Sequence, residues 1–278
     1  MTKPEEIALF NATVRIISDY DFSDYSEKSF ARRLDKILAD YNLDMNGLIA
    51  KIKKEKDFLE QIIKDITVNT TELFRDPKIW QAIKYRVLRK YKEKGKIRIW
   101  HAGCSSVQEV YSMLILLSEL NLLDKAEIYA SDINADVLDA AKKGEYVYRF
   151  NIEYLENFKQ VIQVNPYNFE ETFDIPYSKY FDIDKINDRM KVKNLIKDNV
   201  TYIKHDLVKG TGITQENFDI ILCRNVLIYF NTRLQNKLFA MFADKLKRKG
   251  HLILGAHETI IGVESSKYIK HSNFFIKK

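Results

Sequence analysis

The chain has 278 residues, of which 46% are hydrophobic and 30% are charged, and its formal net charge is +6. This composition is typical of a globular protein, and no apolar stretch approaches the ~20 residues that a membrane-spanning helix needs. The opening residues, MTKPEEIALF, carry acids where a signal peptide would need basic residues, so we expect a cytoplasmic protein.

The excess of positive charge indicates an acidic partner, which by charge alone could be nucleic acid, a membrane or an acidic protein surface. Cys104 and Cys223, the two cysteines, lack the CxxC or Cys/His spacing of a metal site. Each follows a predicted core strand, so we interpret both as small buried hydrophobic residues and predict no metal site.

The length allows two domains of ~100–200 residues, and we predict a helical domain over 1–75 followed by a second domain over 76–278. Phe30, Leu34, Ile37 and Leu38 recur at the spacing of a buried helix face. Beside this apolar stripe lies a cationic stripe, which is either a solvated face or a docking face for an acidic helix. It consists of Lys28, Arg32, Arg33 and Lys36.

A helix is predicted from Pro77 to Gly95, because proline favours the first turn of a helix and glycine its end. Strands and helices then alternate, which favours a mostly parallel sheet covered by helices. The predicted strands are 97–100, 127–131, 200–204, 218–222 and 251–255, with a terminal antiparallel hairpin over 268–271 and 273–277. The predicted helices are 107–120, 135–142 and 232–247. Residues from about 145 to 199 break this rhythm and predict an inserted subdomain.

Polar residues follow three of these predicted strands, where ligands of open α/β sheets bind. Gly103 begins a turn into a helix, and Glu109 falls in that helix's first turn, either to bind a ligand cation or to interact with the helix dipole. Asp132 ends the next strand, either to accept hydrogen bonds from ribose hydroxyls or to cap the following helix. Arg224 and Asn225 follow an apolar run that is typical of a buried strand. These features alone indicate a cofactor-binding α/β protein.

Three segments together resemble the CheR family of S-adenosylmethionine-dependent chemotaxis receptor glutamate methyltransferases. They are NTTELFR at 69–75, GCSSVQEVYS at 103–112 and FDIILCRNVLIYF at 218–230. The resemblance extends over nearly the whole chain from about residue 12. It implies a class I, Rossmann-like methyltransferase sheet with an N-terminal all-helical domain and a small inserted subdomain. It also implies S-adenosylmethionine as cofactor and S-adenosylhomocysteine as product.

The resemblance assigns roles to individual residues of this chain. Glu109 would bind the methionyl amine, Asp132 the ribose, and Asp206 and Leu207 would lie near the adenine. Arg75 would lie beside the reacting centre and Tyr229 would face the transferred methyl group, so these two are the implied catalytic residues. The remaining implied cofactor contacts are Asn69, Thr71, Arg75 itself, Arg224 and Asn225.

Several positions depart from the family pattern. Val107 and Gln108 replace a glycine-glutamate pair, and a side chain at a position that permits close backbone approach is expected to shift the loop. Asp206 replaces an asparagine and loses an amide donor near the adenine. Ala256 replaces the serine of a terminal LGHSE pattern. These departures predict weaker cofactor binding.

The resemblance implies a methyl-accepting chemotaxis receptor as the partner, bound through the cationic stripe, with contact to the membrane only through the receptor. We expect a monomer. A nucleic-acid methyltransferase is a rival interpretation, suggested by the charge and by Asn165-Pro166-Tyr167, but that motif should follow the fourth strand. A non-catalytic module that binds cofactor or receptor is a second rival, favoured by Val107 and Asp206.

Overall fold

The computed structural model describes residues 2–67, 71–168, 170–210 and 212–278. The chain forms two compact units, one of Met1–Val68 with Val226–Phe239 and one of Asn69–Asn225 with Ala240–Lys278. The α-helices are α1 (Pro4–Ile17), α2 (Glu27–Asp40), α3 (Met45–Lys54), α4 (Lys56–Ile66), α5 (Pro77–Ala82), α6 (Gln108–Glu119), α7 (Ala135–Lys143), α8 (Ile152–Phe158), α9 (Asn194–Lys197) and α10 (Thr232–Lys245). The strands are β1 (Ile97–Ala102), β2 (Ala126–Asp132), β3 (Glu145–Val147), β4 (Phe181–Asp184), β5 (Arg189–Val192), β6 (Val200–Lys204), β7 (Phe218–Cys223), β8 (Leu246–Leu254), β9 (Tyr268–His271) and β10 (Phe274–Lys277).

The first unit is helical in its described N-terminal part, as predicted. On α2, Phe30, Leu34 and Ile37 are buried in the core of this unit. The helix starts follow local chemistry: α1 has Pro4 in its first turn, and the Asp44 side chain accepts the backbone N–H of Gly47 to cap α3. The predicted apolar stripe of α2 is therefore a core face.

The second unit is built on a seven-stranded sheet in the order β6-β2-β1-β7-β8-β10-β9. The first five strands of this order pair in parallel, whereas β10 is antiparallel to both β8 and β9. Both the mostly parallel sheet and the terminal hairpin are confirmed. The strand order reverses between β1 and β7, so the carboxyl ends of these two neighbours form the topological switch point.

The predicted helix over 77–95 is wrong in its second half. The α-helix ends at Ala82, a π-helical turn covers 83–87, a 3₁₀ turn covers 88–91, and residues 92–93 are a turn. The π-helical turn carries Lys84 into the interior, where its ammonium donates to the backbone carbonyls of Val161 and Ile162 at 2.9 and 3.2 Å. Burial lowers the pKa of Lys84 to about 8.

The irregular segment after α7 forms a second, three-stranded antiparallel sheet in the order β3-β5-β4. Strand β8 starts at Leu246, directly after α10, rather than at the predicted residue 251. In the described part of the chain, every helix is too short or too polar to cross a membrane.

Candidate active site

The carboxyl ends of β1, β2 and β7 carry the polar residues that the sequence singles out. The turn 103–107 follows β1, Asp132 is the last residue of β2, and Arg224 directly follows β7. Strand β1 pairs with both β2 and β7, so all three strand ends lie side by side at one edge of the sheet. The second unit thus gathers these groups at its switch point.

The β1–α6 loop, residues 103–107, is strained. Gly103, Ser105 and Val107 have φ angles of 77°, 50° and 58°, in the left-handed region that favours glycine. Val107 is β-branched and fully buried, and such a residue is a clear outlier at positive φ. The loop is fastened to the neighbouring strand, because the Gly103 amide donates to the Ser131 carbonyl at 2.8 Å. A valine at this position is therefore accommodated without moving out of the left-handed conformation.

Asp132 lies buried at the base of this loop. Its carboxylate accepts the backbone N–H of Ser105 at 2.8 Å and that of Asn134 at 3.0 Å. Burial raises the pKa of Asp132 despite these hydrogen bonds. The interpretation of Asp132 as the cap of the next helix is wrong, because the Asn134 side chain caps α7 by accepting the N–H of Asp136.

Glu109 and Arg224 form the centre of an ion-pair network. The two Glu109 oxygens lie 2.9 Å from His101 Nδ1 and 3.2 Å from Arg224 Nη1. Arg224 Nη2 also donates to Asp76 at 2.9 Å and to the Arg75 carbonyl at 2.8 Å. Burial raises the pKa of Glu109, but the His101 hydrogen bond and the Arg224 charge outweigh it and hold that pKa below its ordinary value.

Beside Arg224, the chain turns sharply at Asn225, whose φ is 60°. Glu258 accepts the backbone N–H groups of both Asn225 and Gly255 at 2.8 Å. A Cβ atom on Gly255 would lie 2.8 Å from this carboxylate and 3.0 Å from the Asn225 nitrogen. Glycine is therefore required where the ends of β7 and β8 approach each other.

The other predicted site residues are placed as follows. Asp206 follows β6 and accepts the N–H of Val208 at 2.8 Å in a tight turn, and Leu207 is buried. Thr71 and Arg75 are half-buried in the second unit, whereas Tyr229 is half-buried in a 3₁₀ turn of the first. Asn69 lies outside the described residues.

Asp76, Glu258 and His101 also bind groups of this site, and the sequence motifs do not indicate these contacts. His101 lies fully buried on β1 and orients the Glu109 carboxylate through its Nδ1 atom. An acid directly after Arg75 and a histidine at the buried end of a strand were the signals available. The Asn165-Pro166-Tyr167 motif is a local turn, in which the Asn165 side chain accepts the N–H of Tyr167 at 2.9 Å.

Residues 69–275 match the protein-family model described as "CheR methyltransferase, SAM binding domain". Cher3 of Pseudomonas putida, whose name marks it as a candidate methyltransferase, is 32% identical over 256 residues, covering 92% of this chain and 89% of that protein. The chemotaxis protein methyltransferase of Listeria monocytogenes is 29% identical, covering 97% of this chain and 95% of that protein. The chemotaxis protein methyltransferase of Borreliella burgdorferi is 31% identical, covering 78% of this chain and 73% of that protein.

Similar solved structures include the magnesium protoporphyrin IX methyltransferase from Synechocystis PCC 6803 with bound SAH. It is 15% identical with a TM-score of 0.33, and the alignment covers 64% of this chain and 54% of that chain. This chain thus spans about half the length of that structure.

Proposed function

Because this chain belongs to the CheR methyltransferase family, we propose that it transfers the methyl group of S-adenosylmethionine to glutamate side chains on the cytoplasmic helices of chemotaxis receptors. The products are glutamyl methyl esters and S-adenosylhomocysteine. The family match over residues 69–275 carries this proposal, since it includes the Glu109–Arg224 network and Asp132. The relatives named as chemotaxis protein methyltransferases support the receptor as substrate.

The described residues fit the cofactor. A ribose requires acceptors for two hydroxyl groups and a methionyl ammonium requires a carboxylate. Asp132, at the end of β2, and Glu109, in the first turn of the helix that follows β1, supply these groups. Ser105 Oγ and Arg224 Nε are buried and lack hydrogen-bond partners among the described residues, which leaves polar atoms for a ligand. The proposed contact set is Asn69, Thr71, Arg75, Glu109, Asp132, Asp206, Leu207, Arg224 and Asn225.

Within this set Arg224 has a specific role. Its side chain is only 1% exposed and three acceptors bind its guanidinium. We therefore assign it mainly to holding Glu109 ionised and in place. The lowered pKa of Glu109 keeps that carboxylate charged at neutral pH, as binding of an ammonium group requires.

When bound, S-adenosylmethionine supplies an electrophilic methyl group on its sulfonium. A glutamate carboxylate is already ionised at neutral pH, so the transfer needs no general base. Arg75 holds the attacking carboxylate by charge-assisted hydrogen bonds, and the Tyr229 hydroxyl orients it. Arg75 makes no side-chain hydrogen bond or ion pair with another described residue, which leaves its guanidinium available for an acceptor.

The receptor is proposed to bind the cationic stripe of α2. Lys28 and Arg32 are exposed and form no ion pair with another described residue, and Arg33 is half-buried. Lys36 is paired with Asp40 at 2.6 Å and contributes less free charge. The chain is proposed to act as a cytoplasmic monomer that reaches the membrane only through its receptor.

The decisive experiment measures transfer of labelled methyl from S-adenosylmethionine to receptor-containing membranes, scored as base-labile methyl ester. Asp132→Asn should weaken S-adenosylhomocysteine binding in calorimetry, because a charged acceptor contributes ~1.5–3 kcal/mol per hydrogen bond. Absence of base-labile label with the wild-type protein would reject the proposed reaction. Unchanged binding by Asp132→Asn would remove this residue from the site.

The assigned catalytic roles are tested by Arg75→Ala and Tyr229→Phe at limiting substrate. Both should slow methylation, and the arginine variant should lose more, because it lacks the cation that positions the acceptor. Normal rates in both variants would refute the mechanism while leaving cofactor binding untouched.

Receptor docking is tested by reversing Lys28 and Arg32 to glutamate, because neither residue loses an ion pair with another described residue. The double reversal should raise the KM for receptor and flatten its salt dependence, since charge steering is screened by salt. Reversing Lys53 and Lys54, which are exposed on α3, makes the same change in net charge and serves as the control. Equal behaviour of the two double variants would show that the stripe is only a solvated face.

A further inference from the structure

The strained β1–α6 loop, residues 103–107, is held from two sides. One side is the end of β2, where Ser131 and Asp132 accept backbone N–H groups of the loop. The other side is the segment from β3 to Asn151, which belongs to neither the switch point nor the seven-stranded sheet. This second attachment lies outside the set of residues proposed to contact the cofactor.

The second attachment consists of two hydrogen bonds. The hydroxyl of Tyr146, on β3, donates to the Ser106 carbonyl at 2.8 Å. The buried side-chain amide of Gln108 donates to Asn151 Oδ1 at 2.5 Å, and Asn151 in turn donates to the Val147 carbonyl at 2.7 Å. These bonds hold Ser106, which precedes Val107, and Gln108, which follows it.

The backbone conformation of Val107 explains why these hydrogen bonds are needed. A valine at φ 58° is strained, so the loop left to itself would favour conformations that move Val107 out of the left-handed region. Strained residues persist only where their surroundings over-determine them. The Cys104 carbonyl accepts the Val107 amide at 3.0 Å, but this bond lies within the loop and moves with it. The attachment to Tyr146 and Asn151 comes from outside the loop.

We propose that Tyr146 and Asn151 are positioning residues that hold the β1–α6 loop in its cofactor-binding conformation and thereby offset the strain at Val107. The irregular segment after α7 thus contributes to cofactor affinity through the loop. This inference rests on the proposed function, because it takes the loop to be part of the cofactor site.

The expected effect follows from population arithmetic. If the loop is binding-competent for only a fraction of the time, the apparent Kd rises by the inverse of that fraction. Losing the Tyr146 hydrogen bond should reduce the competent fraction to about one tenth, which raises the Kd about tenfold, equivalent to ~1.4 kcal/mol.

The test measures S-adenosylhomocysteine binding by calorimetry for Tyr146→Phe, at a temperature where circular dichroism shows each variant to be folded. Tyr177→Phe is the matched control, because the Tyr177 hydroxyl also donates to a backbone carbonyl, that of Leu155, at 2.6 Å. We expect an approximately tenfold higher Kd for Tyr146→Phe and less than a twofold change for Tyr177→Phe.

The second measurement repeats Tyr146→Phe in a Val107→Gly background. Glycine adopts the left-handed conformation without strain, so the attachment becomes unnecessary and the effect of Tyr146→Phe should fall below about twofold. A merely structural tyrosine would show the same effect in both backgrounds.

Three results would overturn the inference. An unchanged Kd for Tyr146→Phe, with binding weakened in Asp132→Asn, would reject the positioning role and leave the proposed site intact. An equal effect of Tyr146→Phe with Val107 or glycine at position 107 would reject the strain explanation. Absence of S-adenosylhomocysteine binding by the wild-type protein would overturn the proposed function together with this inference.

Discussion

Replacing Arg224 with methionine removes the cation at the centre of the second unit's ion-pair network. The substitution keeps a long apolar side chain, so its main effect is to leave three acceptors without their donor. They are the Glu109 carboxylate, the Asp76 carboxylate and the Arg75 carbonyl. The free energy of unfolding should therefore fall for electrostatic reasons and not through a cavity.

The magnitude follows from the burial of these acceptors. Hydrogen bonds to charged groups contribute ~1.5–3 kcal/mol each, so three of them would sum to ~4.5–9 kcal/mol. The Asp76 side chain is 32% exposed and can be hydrated after the substitution, whereas that of Glu109 is only 13% exposed. Removing one partner of a buried ion pair typically costs ~3–5 kcal/mol, and we expect Arg224→Met to fall in this range. This is a large part of the ~5–15 kcal/mol by which native proteins are stable.

Urea denaturation followed by tryptophan fluorescence measures this loss. The chain has two tryptophans, and both Trp80 and Trp100 are fully buried in the second unit. Arg189→Met is the matched control, because Arg189 binds one carboxylate, Glu145, at 2.9 Å with 65% of its side chain exposed. An exposed pair of this kind contributes ~0–1 kcal/mol. Equal losses of less than ~1 kcal/mol in both variants would refute the account of a buried network.

Two further substitutions and one pH response can be measured in the same way. Glu258→Ala should cost more than Glu258→Gln, because only alanine leaves the amides of Asn225 and Gly255 without an acceptor, at ~1–3 kcal/mol per unsatisfied group; equal costs would contradict this role. Burial lowers the pKa values of His205 and His251 to about 4, so each stabilises the fold above pH ~6.5 and loses this contribution as the pH falls towards 4. Replacing either histidine with glutamine should flatten the decline in unfolding free energy between pH 7 and 4, by at most ~3 kcal/mol per site. A decline as steep as in the wild-type protein would contradict the assignment of this pH dependence to the substituted histidine.

Much of the main sheet could be predicted because its strands carry a local signal. Strand β7 is apolar at nearly every position, as a strand buried on both faces must be, and its predicted range differs from the observed one by a single residue. The π-helical turn at 83–87 could not be predicted in this way. Its apolar spacing is that of an α-helix, and the turn contains neither proline nor glycine, so no residue marks the change.

The positions of Asp132 and Glu109 in the fold could be predicted, because each residue has a fixed relation to a strand end. The partners that bind these two residues could not be predicted. Asp76 and Arg224 are 148 positions apart, and sequence spacing carries no information about contacts over that distance. The left-handed conformation of Val107 could not be predicted either, because valine is among the residues least suited to it.

The first compact unit is assembled from two parts of the chain, and this constrains the order in which it can fold on the ribosome. The Asp24 backbone carbonyl accepts the backbone N–H of Asn231 at 2.9 Å, and the Asp24 carboxylate pairs with Arg233. The centroid of the Tyr25 ring lies 5.1 Å from that of the Phe230 ring. Residues 226–239 are synthesised only after the whole of 69–225. Domains generally fold as units from the N-terminus during translation. Here the N-terminal helices emerge first, yet the unit to which they belong is completed only when most of the second unit has left the ribosome.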